Sequence, residues 1–291
     1  DWSEVGPRMK PNNGTGQPNG NGRLNNIAFH PTNPSIMWVG SASGGLWKTT
    51  NGGQSWDSNT DDLPSLGVSS ILIDPTNTDI MYIGTGDRDA GDAPGLGVYK
   101  SVDGGASWFV SNTGMGNRTV GQILMHPSNS SYILAATSGG VYRSINGGST
   151  WTLESPGNNF KDMKFKPGNP NIVYATETSG GANFWRSTNA GASWTQINSG
   201  LSSSQRLSIA VTPADSNVVY LVSSVSSAFG GLFKSTNSGL SFTTQSTTPN
   251  ILQWSENPGA TGGGGQGWYD LAIAADPNNA NTVYVGGVNI F

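Results

Sequence analysis

The chain of 291 residues contains no cysteine. Disulfides, thiolate catalysis and cysteine-ligated zinc are therefore excluded. Only 11% of its residues are charged and only two are histidine, so acid–base chemistry has few candidates. Lys and Arg number 14 against 18 Asp and Glu, a net charge of −4, and the cations do not cluster. Nucleic acid, which is bound through phosphate neutralisation, is not an expected partner. There is no polybasic segment for an anionic membrane. No apolar run approaches the roughly 20 residues that a membrane-spanning helix needs. A signal-peptide pattern is also missing; the chain opens on Asp1 rather than Met and is expected to be a processed product or an excised piece of a longer chain.

What the sequence has in quantity is Gly (42), Pro (16) and Trp (10). So many turn residues, with polarity carried by Ser, Thr and Asn, predict an all-β chain. The same low-charge surface favours an extracellular setting.

Repeats carry the rest of the reading. One unit, S/T-x-N/D-x-G-x-S/T-W/F, stands at Thr49-Thr50-Asn51-Gly52-Gly53-Gln54-Ser55-Trp56 and recurs at 101–108, 144–151, 187–194 and 235–242. Its closing aromatics are 52, 43, 43 and 48 residues apart. A second unit, an apolar strand followed by x-Pro-x-Asn/Asp and another strand, has its prolines at Pro31, Pro75, Pro127, Pro167, Pro213 and Pro277. Each period then holds four short strands. The second period predicts strands at 69–73, 80–84, 98–101 and 107–110. Four strands per 40–50 residues is the pattern of a β-propeller blade.

The box is a turn with a mechanism. The Asn or Asp side chain accepts backbone N–H bonds, the following position takes a positive φ, and the hydroxyls tie the hairpin. Only Asp103 is an aspartate; the other four boxes use Asn. A catalytic carboxylate would not tolerate that exchange, whereas a turn cap does.

These boxes resemble the BNR/Asp-box repeats of sialidases, sortilin-type receptor domains and two-propeller xyloglucan-cleaving endoglucanases. The phrases Gly44-Gly45-Leu46-Trp47-Lys48-Thr49 and Gly97-Val98-Tyr99-Lys100-Ser101 are similar to propellers of large exported Bacteroidetes proteins, many of which end in a type IX secretion sorting domain. The resemblance implies one all-β propeller of four-stranded blades across 1–291. Its blade periods are about 3–56, 57–108, 109–151, 152–194, 195–242 and 243–291. Six first strands but five boxes are present, so the ring is expected to be incomplete at the C-terminus. Residues 1–10, with Trp2, are expected to close the last blade, and the native chain to continue past Phe291 into a ring of seven or more blades.

In such propellers the b–c and d–a connections share the face that carries the site, and the boxes lie on the other. That sorts the carboxylates. Asp103 belongs to a box, and Asp74, Asp79, Asp215 and Asp276 belong to a–b turns. His30 and His126 fill the same pre-proline slot as Asp74, Lys166, Thr212 and Asp276, so a turn role is expected for both. On the site face, Asp87, Asp89 and Asp92 in a Gly-rich loop are candidate Ca2+ ligands, against the reading of a solvated acidic loop; no other cofactor is expected. Arg88 either contacts ligand or neutralises these acids. In the longest connection, 243–267, Trp254 and Glu256 lead to Trp268, Tyr269 and Asp270. These are candidate contacts to a sugar ring or extended peptide, since aromatics with few polar groups suit such ligands. Trp268 begins the first strand of the sixth blade in this reading, and Trp254 and Trp268 could instead pin the loop. The Gly262–Gly265 run lacks the Lys-Ser/Thr of a phosphate loop.

The xyloglucan-cleaving relatives place a catalytic Asp just before Gly-Gly in the first b–c loop. Here that loop reads Ser41-Ala42-Ser43-Gly44-Gly45. A sialidase would need an arginine triad, for which Arg23, Arg118 and Arg206 are available, and a Tyr–Glu pair such as Tyr269 and Glu256, but its Arg-Ile-Pro motif is absent. The expectation is therefore a non-catalytic binding, adhesion or scaffold module of a secreted or cell-surface multidomain protein, with no catalytic residue assigned. It would bind extracellular polysaccharide or peptide and join other domains of the same chain. A glycoside hydrolase of the xyloglucanase or sialidase type is the alternative.

Overall fold

The computed structural model describes residues 23–178, 181–253, 264–288 and 290–291. Their strands form five four-stranded sheets and one two-stranded sheet, with antiparallel neighbours running in chain order. Among the described residues no helix is long and apolar enough to cross a membrane.

The strands fall into two compact units. The first, Gly22–Met163, holds three sheets. They comprise β1 (Leu24–Phe29), β2 (Met37–Ser41), β3 (Leu46–Thr49) and β4 (Asp57–Ser58); β5 (Val68–Ile73), β6 (Met81–Thr85), β7 (Val98–Ser101) and β8 (Phe109–Val110); and β9 (Val120–His126), β10 (Asn129–Thr137), β11 (Gly140–Ser144) and β12 (Thr152–Leu153). The division falls inside β13 (Phe160–Lys166), which heads the sheet continued by β14 (Asn169–Glu177), β15 (Asn183–Ser187) and β16 (Thr195–Ile197). The second unit adds β17 (Arg206–Val211), β18 (Val219–Val225), β19 (Ala228–Ser235) and β20 (Thr243–Ser246), then the pair β21 (Ala272–Ala275) and β22 (Val283–Gly286). Six first strands are thus observed. The expected strands of the second period are all present, the fourth trimmed to two residues.

Burial follows position in the sheet. All five residues of β6 are buried, as in a strand covered on both faces. The fourth strands are short, and β8 and β12 are exposed at every residue; brevity limits pairing at an open edge. Trp38, Leu46, Val68, Met81 and Ile83 form one core of the first unit, and Tyr82, Val120, Ile133 and Trp151 another. The second unit packs Tyr174, Phe184, Phe233 and Phe242, and separately Tyr220, Val222, Ile251 and Leu271. Second-strand aromatics carry third-strand cations: Lys48 lies 5.2 Å from the Trp38 ring, Lys100 5.3 Å from Tyr82 and Lys234 5.3 Å from Tyr220. Burial, with the nearby Asp74 charge, pushes the Tyr82 phenol up to about 12, and its hydroxyl donates to Gly147 O at 3.0 Å. The third sheet's box is thereby docked on the second sheet.

Both turn families are capped as expected. In the a–b turns Asn33, Asn77, Asn129, Asn169, Asp215 and Asn279 each accept the N–H two residues on, at 2.9–3.3 Å. The pre-proline slot caps the same turn with different chemistry. His30 Nδ1 accepts from Thr32 N at 3.3 Å and His126 Nδ1 from Ser128 N at 3.3 Å. Asp74 accepts from Thr76 N at 2.8 Å, Thr212 from Ala214 N at 3.1 Å and Asp276 from Asn278 N at 2.8 Å. Lys166 is the exception, reaching Asn217 Oδ1 at 2.8 Å. Both histidines are therefore turn caps.

In every box the first hydroxyl accepts the fifth residue's N–H, at 2.8–3.0 Å. The third residue's Oδ1 accepts the seventh residue's N–H, at 2.8–3.1 Å. The seventh hydroxyl accounts for the Asn/Asp exchange. Asn146 Nδ2 donates to Thr150 Oγ1 at 2.8 Å, whereas Ser107 Oγ donates to Asp103 Oδ2 at 2.5 Å. A hydroxyl serves either partner, so the turn is indifferent to which is present. The Ser107 hydroxyl and N–H hold the Asp103 carboxyl down at about 2. The αL position is not reserved for Gly: Ala190 (φ 55°) and Ser238 (φ 59°) also occupy it. Asn146→Ala is expected to cost about 1 kcal/mol, from loss of the capping acceptor. Asn146→Asp should stay within about 0.5 kcal/mol of wild type, both variants being read by urea denaturation.

Candidate functional site

Antiparallel meanders put the second-to-third connection of a sheet at the same end as the link to the next sheet. Three such connections bear on function, two in the first unit and one in the second.

The β2–β3 loop carries no carboxylate. Ala42 is buried, Ser43 is exposed, and Ser41 Oγ accepts the Gly44 N–H at 3.1 Å. The tight turn is closed by Ser41, and Ala42 and Ser43 fill the place expected of a catalytic Asp.

The β6–β7 loop holds the candidate Ca2+ ligands, and each of them is paired with a basic side chain. Asp87, with a fully buried side chain, lies 2.5 Å from Arg23 Nη2, which also reaches Asp92 at 3.3 Å. Asp87 further accepts N–H bonds from Asp89 (3.2 Å), Ala90 (3.0 Å) and Asp92 (3.1 Å). Burial alone would raise its pKa. Arg23 and the backbone donors outweigh burial and hold the carboxyl below the usual range. Asp89 sits 3.3 Å from Arg88 Nε and 3.5 Å from Lys161 Nζ. Arg88 Nη1 donates to Gly121 O at 3.0 Å, so Arg88 braces the loop. Among the described residues no three acidic, His or Cys side chains converge to hold a metal ion. A cation here would have to take Asp87 and Asp92 from Arg23. Millimolar Ca2+ is therefore expected to leave the melting temperature unchanged; a rise of several degrees would restore the calcium reading.

In the second unit the long connection after β20 returns at Gly264. Trp254 and Glu256 lie outside the described residues. Ile251 and Leu252, each 1% exposed, pin the connection into the core beside Leu271. The loop therefore does not need Trp268 as its anchor. Trp268 is also not in a strand: β21 begins at Ala272, because 266–270 is a turn in which Gln266 O accepts the N–H groups of Tyr269 and Asp270, both at 2.8 Å. The consequence is an exposed indole. Trp268 is 46% exposed and its ring lies 4.6 Å from that of Tyr269, tilted by 30°. Buried Arg206 fixes the turn by donating to Trp268 O at 3.0 Å. Asp270 follows directly, half-buried at the head of β21. With Arg23 committed to Asp87 and Arg206 to a carbonyl, two of the three arginines available for a sialidase triad serve other ends.

One residue that the sequence reading passed over is Glu177, a 1% exposed carboxylate ending β14. An acid closing a run of buried residues, just before a Gly-Gly loop, was the available signal.

No protein-family model matches the chain. A curated relative, the probable oligoxyloglucan-reducing end-specific xyloglucanase of Neosartorya fischeri, is 28% identical over 87 residues, covering 28% of this chain and 10% of that protein. Among solved structures, the GH74 enzyme of Niastella koreensis superposes with a TM-score of 0.73 at 21% identity, covering 92% of this chain and 44% of that one. An ancestral GH74 enzyme gives 0.64 at 21% identity, over 92% and 38% of the two chains. The GH74 xyloglucanase of Xanthomonas campestris gives 0.56 at 16% identity, over 92% and 51%. The chain thus spans a tenth of the curated relative and about half or less of these solved structures. At such identities the likeness concerns the fold: this is an all-β chain of propeller blades, similar in fold to xyloglucanases.

Proposed function

We propose that this chain is a polysaccharide-engaging propeller within an exported protein of the glycoside-hydrolase kind, and that its own contribution is to hold the polymer. The Trp268–Tyr269 pair carries the reading: two aromatic faces, one of them an exposed indole, presented on a turn that Arg206 and the loop base hold in place. A flat apolar surface with a polar edge suits a pyranose ring. The likeness to xyloglucanases supports a neutral β-glucan as the polymer. Export to the cell surface, with the type IX sorting implied by the 44–49 and 97–101 phrases, belongs to the same proposal. Affinity electrophoresis in gels containing xyloglucan or mixed-linkage β-glucan tests it. Trp268→Ala and Tyr269→Ala should each weaken retention about five- to tenfold without changing the melting temperature. Unaltered retention in both variants would remove the platform.

A second reading, hydrolysis by this protein, is favoured by the names of the similar enzymes. Such cleavage needs two carboxylates about 5 Å or 6.5–9.5 Å apart, one of them a general acid of raised pKa. Asp87 is shifted the other way, and Ala42 has no carboxylate. Asp270, next to the platform, is the carboxylate to test. Release of reducing ends that Asp270→Asn abolishes would establish the hydrolase reading over the binding one.

A further inference from the structure

Where β14 turns into β15, beside the approach to β17, lies a cavity of about 220 Å3. Asn183, Asn198 and the serines 202–204 line it, with Phe184 and Leu201 behind, and among the described residues no lining side chain is charged. Its polar wall is built on a buried charge. Glu177 pairs across the strands with Asn183 and accepts a hydrogen bond from Asn183 Nδ2 at 2.6 Å. A carboxylate can only accept, so this contact fixes which way the Asn183 carboxamide faces. Asn183 Oδ1 then accepts from Gln196 Nε2 at 2.9 Å, and the same nitrogen donates to Asn198 Oδ1 at 3.0 Å. On the opposite side, buried Ser204 is tied to Ser223 Oγ at 2.6 Å, while Ser202 and Ser203 are exposed. Burying a carboxylate is costly unless hydrogen bonds compensate it. Neither of the two repeated turns requires one at this place, yet here one orients a file of amides along a cavity.

We infer that this cavity receives the hydroxyl groups of a single neutral pyranose unit of the bound polysaccharide. Asn183, Asn198 and Ser203 are its hydrogen-bonding partners, and Glu177 is a positioning residue acting through Asn183. The inference rests on the polysaccharide-binding reading and adds a second, polar subsite to it. The volume falls below the 300–1,000 Å3 typical of whole small-ligand pockets, which suits one ring of a longer chain. The uncharged lining offers paired donors and acceptors to hydroxyls but no cation to a uronate or sialate, whose charge would also stand above Glu177. Continuity with the aromatic platform comes through β17: Arg206, two residues beyond Ser204, holds the Trp268 carbonyl.

Calorimetric titration of the full chain with cellohexaose, a xyloglucan oligosaccharide and an oligogalacturonate tests this. Wild type should bind one or both neutral probes and not the acidic one. Asn198→Ala, an exposed side chain whose loss leaves the fold intact, should weaken neutral binding about three- to tenfold, the effect of one or two hydrogen bonds. Glu177→Gln frees Asn183 to turn and should weaken it similarly. Its effect should not add to that of Asn183→Ala, because both act through one carboxamide. A purely structural Glu177 would give additive losses and a lowered melting temperature. If Asn198→Ala and Asn183→Ala bind as wild type while Trp268→Ala does not, the subsite is overturned and the platform stands. If wild type binds neither neutral probe, the subsite and the reading beneath it both fall. Equal binding of the oligogalacturonate would overturn the neutral-sugar assignment.

Discussion

Gly200→Ala is expected to destabilise the second unit by about 3 kcal/mol, summing the left-handed penalty and overpacking. Gly200 has φ +78°, and a Cβ there would stand 1.8 Å from Phe242 O. The main chain of the fifth sheet's box aromatic crosses directly over this residue, its N–H donating to Ser199 O at 3.0 Å. Backbone against backbone cannot give way as a side chain can. Gly114 repeats the arrangement in the first unit, with φ +89° and Trp151 O 2.2 Å from the ideal Cβ. Gly168 is the control: φ is +73° but nothing lies within 4 Å. Gly168→Ala should lose only the conformational part, about 1 kcal/mol. Urea denaturation of Gly200→Ala, Gly114→Ala and Gly168→Ala separates the two contributions. Equal losses at Gly168 and Gly200 would mean that close approach contributes nothing.

Removing the Asp87 carboxylate should have a comparable effect. Asp87→Ala leaves the Arg23 guanidinium, 17% exposed, without its nearest partner and strips three N–H groups of their acceptor. Breaking a buried pair from one side costs about 3–5 kcal/mol. The effect has a definite pH dependence. The folded pKa of Asp87 lies below that of the unfolded chain, roughly 3.9. Its contribution is therefore fully present above that unfolded value and is lost as pH falls through the lower folded one. Wild type and Asp87→Ala should differ most at pH 6–7, with the gap narrowing steadily below roughly pH 4. A gap that persists undiminished in acid would show that the carboxylate acts by packing and not by charge.

The two sets of residues that the sequence singled out fared differently for one reason. Turn caps such as Asn51, Asp103, His30 and Asp276 bond to atoms two to four positions away, so spacing alone reports them. The Asp87-Asp89-Asp92 spacing resembled a cation loop because acids attract cations of either kind. The cation that arrives is Arg23, 64 residues earlier, which no local pattern announces. Trp268 was misplaced at a strand start because an aromatic after a long loop reads as an anchor. The anchoring is done by Ile251 and Leu252, and this leaves the indole outside.

By itself the sequence determined the repeat, the four-strand period and the chemistry of both turn families, since hydrogen bonds closing within five residues depend on local residue types alone. It also determined that the first b–c loop has no carboxylate to offer. Tertiary structure decided which polar groups are consumed and which remain available. It turned Asp87 into a brace by bringing Arg23 to it, spent Arg206 on a carbonyl, and exposed Trp268 beside Tyr269. It also buried Glu177 behind Asn183. Each of these depends on contacts between segments that folding brings together, where burial and partner geometry, and not spacing, set what a side chain can do.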